Sequence, residues 1–422
     1  MRTEDAQDRL ITLLTHEDAD VREQGWSLMH ALDQHEQAGL IGEMRRRAAS
    51  MVAARLRGLD LSQLDLRHAD FRDAELADST LTGTWLQKAR LRGADLSAAD
   101  LRGARLRSAN LDGADLSGAD LSGARLRRAS LQGASLRGAC LDYAELERIR
   151  GVGLHATGAR ALGADLQNAW LDRADLTDAR LDQSSLRRAR LSHAILCRVS
   201  LRQARLQRAI LTDADLRGAD LTEAALTWAD LRGADLRDAR LSQTALHISL
   251  YDAQTRWPAR FTPARDSLRV GPGADLSGRM LRGIRLANAR LVDANLCRAD
   301  LTGASLIRAD LTRADLREAR LVRVDLSQAL LRHARLNGAI LGTTRDDQTQ
   351  ATRLRDADLR DADLRDAILQ GIILTNAQLS GADLRGADLS QARLTMANLL
   401  GCRHDERTRW PEDLAPQLRQ AP

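Results

Sequence analysis

Leucine falls on every fifth position through most of this chain. Gly113–Leu126 reads GADLSGADLSGARL and Gly381–Leu394 reads GADLRGADLSQARL. A fixed internal period constrains architecture more than any other sequence signal, because repeats stack on their neighbours instead of folding around one centre. Three stretches keep the phase: Leu56–Leu246 with 39 units, Leu276–Leu341 with 14 and Leu354–Leu399 with 10. Of the 63 central positions 59 are Leu, and the exceptions are Phe71, Gly151, Ala156 and Ala161. Ala stands two residues earlier in 49 of the 63 units. A small and a large apolar residue therefore hold fixed places while the other three vary.

A period of five matches neither a helix at 3.6 nor a strand at 2. It matches a chain that turns a corner every five residues, with two side chains inside and three outside. Four corners close a square coil of about 20 residues, and coils joined by backbone ladders stack about 4.8 Å apart. Ala suits the cramped inward place near a corner, Leu fills the axis, and the frequent Gly suits the turn. Each buried Leu contributes about 1.5–3 kcal/mol, so an all-β solenoid of this length is expected to hold without metal or disulfides.

The repeat, A(D/N)LXX, resembles that of the pentapeptide-repeat family over about residues 56–400. The resemblance implies a right-handed quadrilateral β-helix. It implies less about activity, since some members imitate B-form DNA and bind DNA gyrase while many have no known activity. A second motif resembles the D-x-x-T-x-(W/F)-P segments of larger members. It appears as YDAQTRWP over Tyr251–Pro258 and as HDERTRWP over His404–Pro411, with a weaker copy at Arg345–Thr349. Asp252, Thr255, Trp257 and Pro258, like Asp405, Thr408, Trp410 and Pro411, are expected to close a block. Asp and Thr bond nearby backbone, Trp covers the last leucine layer, and Pro cannot continue a ladder.

The expected organisation is a small α-helical cap at 1–54, repeat blocks at 55–250, 274–342 and 354–400, an inserted loop at 251–273, a break at 343–353 and a capping tail at 401–422. In the cap, Leu10, Leu13 and Leu14 suggest one helix. Val21, Gly25, Leu28 and Leu32 mark the face of a second, weakly similar to a HEAT-type helical pair, and Leu40–Val52 suggests a third. Such a cap covers the unpaired backbone of the first coil; docking a partner is the other role open to it. The spacing Leu246 to Leu276 keeps the five-residue phase, whereas Leu341 to Leu354 breaks it, which predicts a loop-out in the first gap and an offset in the second. Arg279 in an inward Ala place, and Gly151, Ala156 and Ala161 in Leu places, predict irregular coils.

Composition narrows the function classes. No stretch approaches 18 apolar residues, so no membrane span is expected, and MRTEDAQDRL at the start lacks an apolar leader core. Cys140, Cys197, Cys297 and Cys402 have no short mutual spacing, which argues against zinc or a disulfide framework and agrees with a reducing, cytoplasmic compartment. The nine histidines are scattered, and no nucleophile elbow, P-loop or H-E-x-x-H occurs. The recurrent Asp before Leu is expected to bond turn backbone and not to do acid–base chemistry. No enzyme activity, small-molecule substrate or cofactor is expected.

The surface remains. With 20 residues per coil, one face of the first block gathers 12 basic residues against 4 acidic ones, a net charge of +8. Its arginines include Arg105, Arg107, Arg125, Arg127, Arg128, Arg148, Arg187, Arg188, Arg205 and Arg208. The opposed face, counted from Glu75, carries −5. A DNA mimic that modulates gyrase needs an acidic surface, and the sequence pI near 9.5 runs against that. The favoured expectation is a non-enzymatic binding or scaffold protein that meets a protein or anionic macromolecular partner on the basic face. Only Trp85 and Trp228 interleave with it, so base stacking on nucleic acid is not indicated.

Overall fold

A computed structural model of the chain describes residues 3–14, 24–25, 27–29, 31–46, 51–263, 266–342 and 351–412. It divides into two compact units, Met1–Ser267 and Leu268–Pro422.

In both units the backbone turns after every Leu and is bridged in parallel to the coil above and below. Arg55 pairs with Glu75, Asp60 with Thr80, Asp65 with Trp85 and Asp70 with Arg90, so four sides pass before the chain returns above itself. Each side is too short for more than one bridged residue. Among the described residues the only longer strands are therefore the two-residue runs Leu250–Tyr251 and Leu268–Arg269.

One repeat accounts for all five of its N–H groups. In Asp95–Ala99 the amides of Asp95, Leu96 and Ala98 donate to Ala74, Asp115 and Ser117 carbonyls on neighbouring coils at 2.9, 2.7 and 2.9 Å. Ala99 N–H closes the turn on the Leu96 carbonyl at 3.1 Å. The fifth, on Ser97, donates to Asp95 Oδ1 at 3.0 Å. This is the place of the recurrent Asp, since a buried or half-buried amide without a partner is costly. The third residue of the regular turns has positive φ, such as Gly118 at 68° and Arg128 at 61°, as a type II turn requires. Gly is favoured there but not obligatory.

Inward, the first unit stacks its Leu and Ala columns into one hydrophobic core from Ile11 to Leu246. Polar residues in Ala places are satisfied inside it. Ser79 Oγ donates to Leu76 O at 2.6 Å and Thr84 Oγ1 to Leu61 O at 2.9 Å. One coil departs from the rule. With Gly151, Ala156 and Ala161 replacing three leucines, an apolar cavity of about 30 Å³ opens between Leu136, Leu141, Leu176 and Leu181. At Gly151 the gap is partly taken up, because Leu171 Cδ2 lies 3.0 Å from where a Cβ would stand.

The described helical residues are α1, Thr3–Leu14, residues 24–25 and 27–29, and α2, Gln34–Arg46. The third helix expected at Leu40–Val52 thus starts earlier, because Asp33 opens it. Asp33 Oδ1 accepts Glu36 N–H at 2.8 Å while Glu36 Oε2 accepts Asp33 N–H at 3.4 Å, a reciprocal capping box. Met51 already lies in the first coil, with its N–H on Asp70 O at 3.1 Å. Ile11, Leu14, Met29, Leu40, Ile41 and Met44 are buried in the same core as Leu56 and Leu61. Much of the expected second helix, including Val21, lies outside the described residues.

The block edges expected from sequence also move. The motifs at 251–258 and 404–411 were expected past the ladder, as loop and tail, but Arg256 bridges Asp235 and Arg409 bridges Asp388. Each separation is 21 instead of 20, so the motif is a repeat with one extra residue, its Thr in the Ala place and its Trp in the Leu place. In the second unit Asp325 bridges Arg353 and Leu330 bridges Asp358, both 28 apart. The ladder therefore runs through the sequence offset without a change of register, and Thr352 occupies a buried Ala place with Oγ1 3.0 Å from Leu321 O. The weak motif copy at 345–349 lies outside the described residues. Arg279, in an inward place, is solvent-exposed, yet its N–H still closes the turn on Leu276 O at 3.3 Å.

Candidate functional site

The bridges fix which outward residues share a face of the first unit. Asp65, Trp85, Arg105, Arg125, Glu145, Asp165, Ser185, Arg205, Ala225 and Ala245 follow one another in a single column. Arg107, Arg127, Arg187 and the corner residues Arg128, Arg148, Arg188 and Arg208 flank it, and all ten candidate arginines are exposed.

They are not equivalent. Arg125 Nε stands 3.5 Å from Glu145, and Arg148 Nε 3.4 Å from Glu147, which Arg127 also contacts. Arg187 donates to Gln207 Oε1 at 3.1 Å. Arg105 lies over the Trp85 ring at 4.8 Å and Arg208 over Trp228 at 5.9 Å. Arg107, Arg128, Arg188 and Arg205 have no ion pair among the described residues.

Other faces show the contrast. Where a unit reads D-L-R, the Arg folds back on the Asp two residues before it: Arg72 on Asp70 at 2.8 Å, Arg102 on Asp100, Arg217 on Asp215 and Arg237 on Asp235, each at 2.6 Å. The Arg217 guanidinium holds the Asp215 carboxyl down to about 2. These exposed pairs add little stability, but they cancel charge. The basic face is basic because seven of its ten bridged positions carry Arg, Trp, Ser or Ala in place of an acid. The D-L-R spacing marks the arginines that are neutralised within their own unit, a signal that counting charge per face misses. Counting also missed Trp170, 47% exposed on the adjacent face and stacked between Arg150 and Arg190.

The D-x-x-T-x-W-P residues form two copies of one arrangement. Asp252 Oδ1 accepts the amides of Gly233, Gln254 and Thr255 at 2.9, 3.1 and 3.1 Å. Asp405 Oδ1 accepts those of Gly386 and Arg407 at 2.8 and 3.1 Å, and the Gly386 amide holds its carboxyl below the usual range. Thr255 Oγ1 reaches Leu231 O at 2.9 Å, and Thr408 Oγ1 reaches Leu384 O at 3.0 Å. Trp257 meets Tyr251 edge-on with centroids 5.7 Å apart, as Trp410 meets His404 at 5.7 Å. Pro258 is half-buried and Pro411 buried behind them. The Asp and Thr side chains of this arrangement are thus engaged in holding backbone. Among the described residues no group of three or more His, Cys, Asp or Glu is placed to hold a metal ion, and no helix is long and apolar enough to cross a membrane.

The match to a family profile agrees with this repeat architecture. The family profile of pentapeptide repeats matches at residues 49–148, 162–247, 281–345 and 350–403 in overlapping segments. Its first gap falls on the coil with the cavity. Among solved structures, the pentapeptide repeat protein alr5209 from Nostoc PCC 7120 is 38% identical, over 22% of this chain and 77% of its own, with a TM-score of 0.22. HetL from Nostoc sp. strain PCC 7120, described as involved in heterocyst differentiation regulation, is 26% identical over 77% of this chain and 95% of its own, at 0.16. QnrB1, a plasmid-mediated fluoroquinolone resistance protein, is 19% identical over 40% and 88%, at 0.23. A search of curated proteins finds no match. With repeats matched across more than half its length, the chain belongs to the pentapeptide-repeat family.

Proposed function

We propose that this protein is a non-enzymatic binding scaffold whose first unit engages an anionic macromolecular partner along its arginine-rich face. The observation that carries the reading is the unpaired set Arg107, Arg128, Arg188 and Arg205, aligned on one face beside Arg105 and Arg208. In this reading the coil is right-handed, as in the family, and the N-terminal helices and the two Thr–Trp motifs close the ends of the ladder. The compartment is the reducing cytosol, where the four unpaired cysteines stay thiols.

The test is binding of the full chain to heparin and to a 20-bp duplex. Wild type should be retained, and the quadruple change of Arg107, Arg128, Arg188 and Arg205 to Ser should elute at clearly lower salt. Unchanged elution contradicts the proposal. The alternative, a gyrase-directed DNA mimic, requires phosphate-like charge around most of the surface, which the +8 face opposes. Gyrase supercoiling is expected to be unaffected by micromolar protein, and inhibition or protection there would favour the mimic instead.

A further inference from the structure

Where the basic face turns onto its neighbour, the first unit has a groove of about 820 Å³. The column behind that corner runs Asn110, Ser130, Arg150, Trp170, Arg190. Its lower part is a stack: Arg190 lies over one side of the Trp170 ring at 5.4 Å, and Arg150 over it at 5.8 Å. Arg190 is further held by Asp172 at 3.0 Å, whereas Arg150 has no ion pair among the described residues. The next coil should carry the next member of the stack, and it carries Ser130. That short side chain turns away and donates to Asp112 Oδ1 at 2.6 Å, and the same oxygen accepts the Gln132 amide at 2.9 Å. One side of the Arg150 guanidinium therefore faces an empty place about one coil spacing, about 4.8 Å, high. Arg128 and Arg148 stand at the rim of the same groove, on the corner of the basic face.

We propose that this place takes a base of single-stranded nucleic acid. The base stacks on Arg150, continuing the Arg190–Trp170–Arg150 ladder over Ser130, and its flanking phosphates rest on Arg128 and Arg148. The proposal deepens the anionic-partner reading and rests on it. A flat π-system is what a guanidinium plane backed by indole selects, and a base beside phosphate supplies both complements. Duplex DNA offers the phosphates but keeps its bases stacked inside, so it reaches the arginine face without using the groove.

The experiment is fluorescence anisotropy of the full chain with a labelled single-stranded 20-mer and with an abasic 20-mer of the same charge. The second protein is Ser130→Ile, which fills the empty place without changing charge. Ile210 already occupies an equivalent position in the same column, so the fold should accept it. Wild type should bind the base-bearing strand on the order of tenfold more tightly than the abasic one. Ser130→Ile should erase that difference and leave the abasic affinity unchanged. Equal affinity of wild type for the two strands would overturn the groove while leaving the anionic-partner reading standing. A preference that survives Ser130→Ile would overturn the placement of the base. If neither strand binds, both readings fail.

Discussion

Ala156→Leu restores the repeat in the coil where it lapses, and the structure gives the sign of its effect. Ala156 is buried and lines the cavity, with Leu136 and Leu176 above and below it in the same column. Three added carbons at about 0.8 kcal/mol each give about 2.4 kcal/mol of transfer, and fixing the longer side chain costs about 0.5–1 kcal/mol. The cavity of about 30 Å³ accepts only part of the new volume without adjustment. A net stabilisation of about 1 kcal/mol remains. The same chemical change at Ala119, fully buried in the cramped Ala place of a regular coil, should have the opposite sign, since overpacking costs about 1–3 kcal/mol. The assay is urea denaturation of both variants beside wild type, followed by far-UV circular dichroism and by proteolysis. Midpoints should move up for Ala156→Leu and down for Ala119→Leu. A downward shift as large for Ala156→Leu as for Ala119→Leu would refute the reasoning, because the coil would then be repacked rather than hollow.

Three further outcomes follow from single sites. Gly342→Ala should cost the second unit more than about 2 kcal/mol in thermal denaturation, because its Cβ would stand 2.1 Å from the Gln370 carbonyl oxygen, a backbone atom that cannot step aside. Gly118→Ala, with φ 68° and open space around it, should cost only about 1 kcal/mol. Arg232→Ala strips the partner from Asp230, only 7% exposed at its side chain, and should lower first-unit stability by about 3–5 kcal/mol; Arg232→Ala with Asp230→Ala should recover part of that loss. Acid should weaken the fold in a defined window. Asp70, Asp100, Asp215 and Asp235, each bonded by the Arg two residues on, have folded pKa values below the unfolded 3.8, Asp215 at about 2. Their contribution is complete above about pH 4 and lost as the pH falls toward 2, so denaturation midpoints should be flat from pH 7 to 5 and drop below 4. Arg217→Ala should make that drop shallower.

The fold was largely legible because one rule repeats. A five-residue period with fixed Leu and Ala fits a four-cornered coil that buries both, and 20-residue stacking then follows. What the period could not show was how the ladder continues through residues that lose it. Thr255 and Trp257 stand in for Ala and Leu after one extra residue, and Arg353 meets Asp325 across a 28-residue step. Phase counting sees a loop-out at the first and a break at the second. The charged face was legible as a sum but not as chemistry, since whether Arg125 or Arg128 is neutralised depends on what stands one coil away. Trp170 escaped notice because the face count stopped at a corner that a groove crosses.

The central claim is that unpaired arginines, and not net charge, make the first unit's face a binding surface. It is tested most directly by the salt dependence of duplex DNA binding for two variants with the same change in charge. One replaces Arg107, Arg128, Arg188 and Arg205 by Ser; the other replaces Arg72, Arg102, Arg217 and Arg237, each already held by its own Asp. At about 0.9 per released counterion, the first variant should flatten the slope of log K against log salt by about 3 to 4 and weaken binding at least tenfold. The second should change the slope by less than about 1. Equal losses in both variants would show that net charge alone governs binding and would contradict the account.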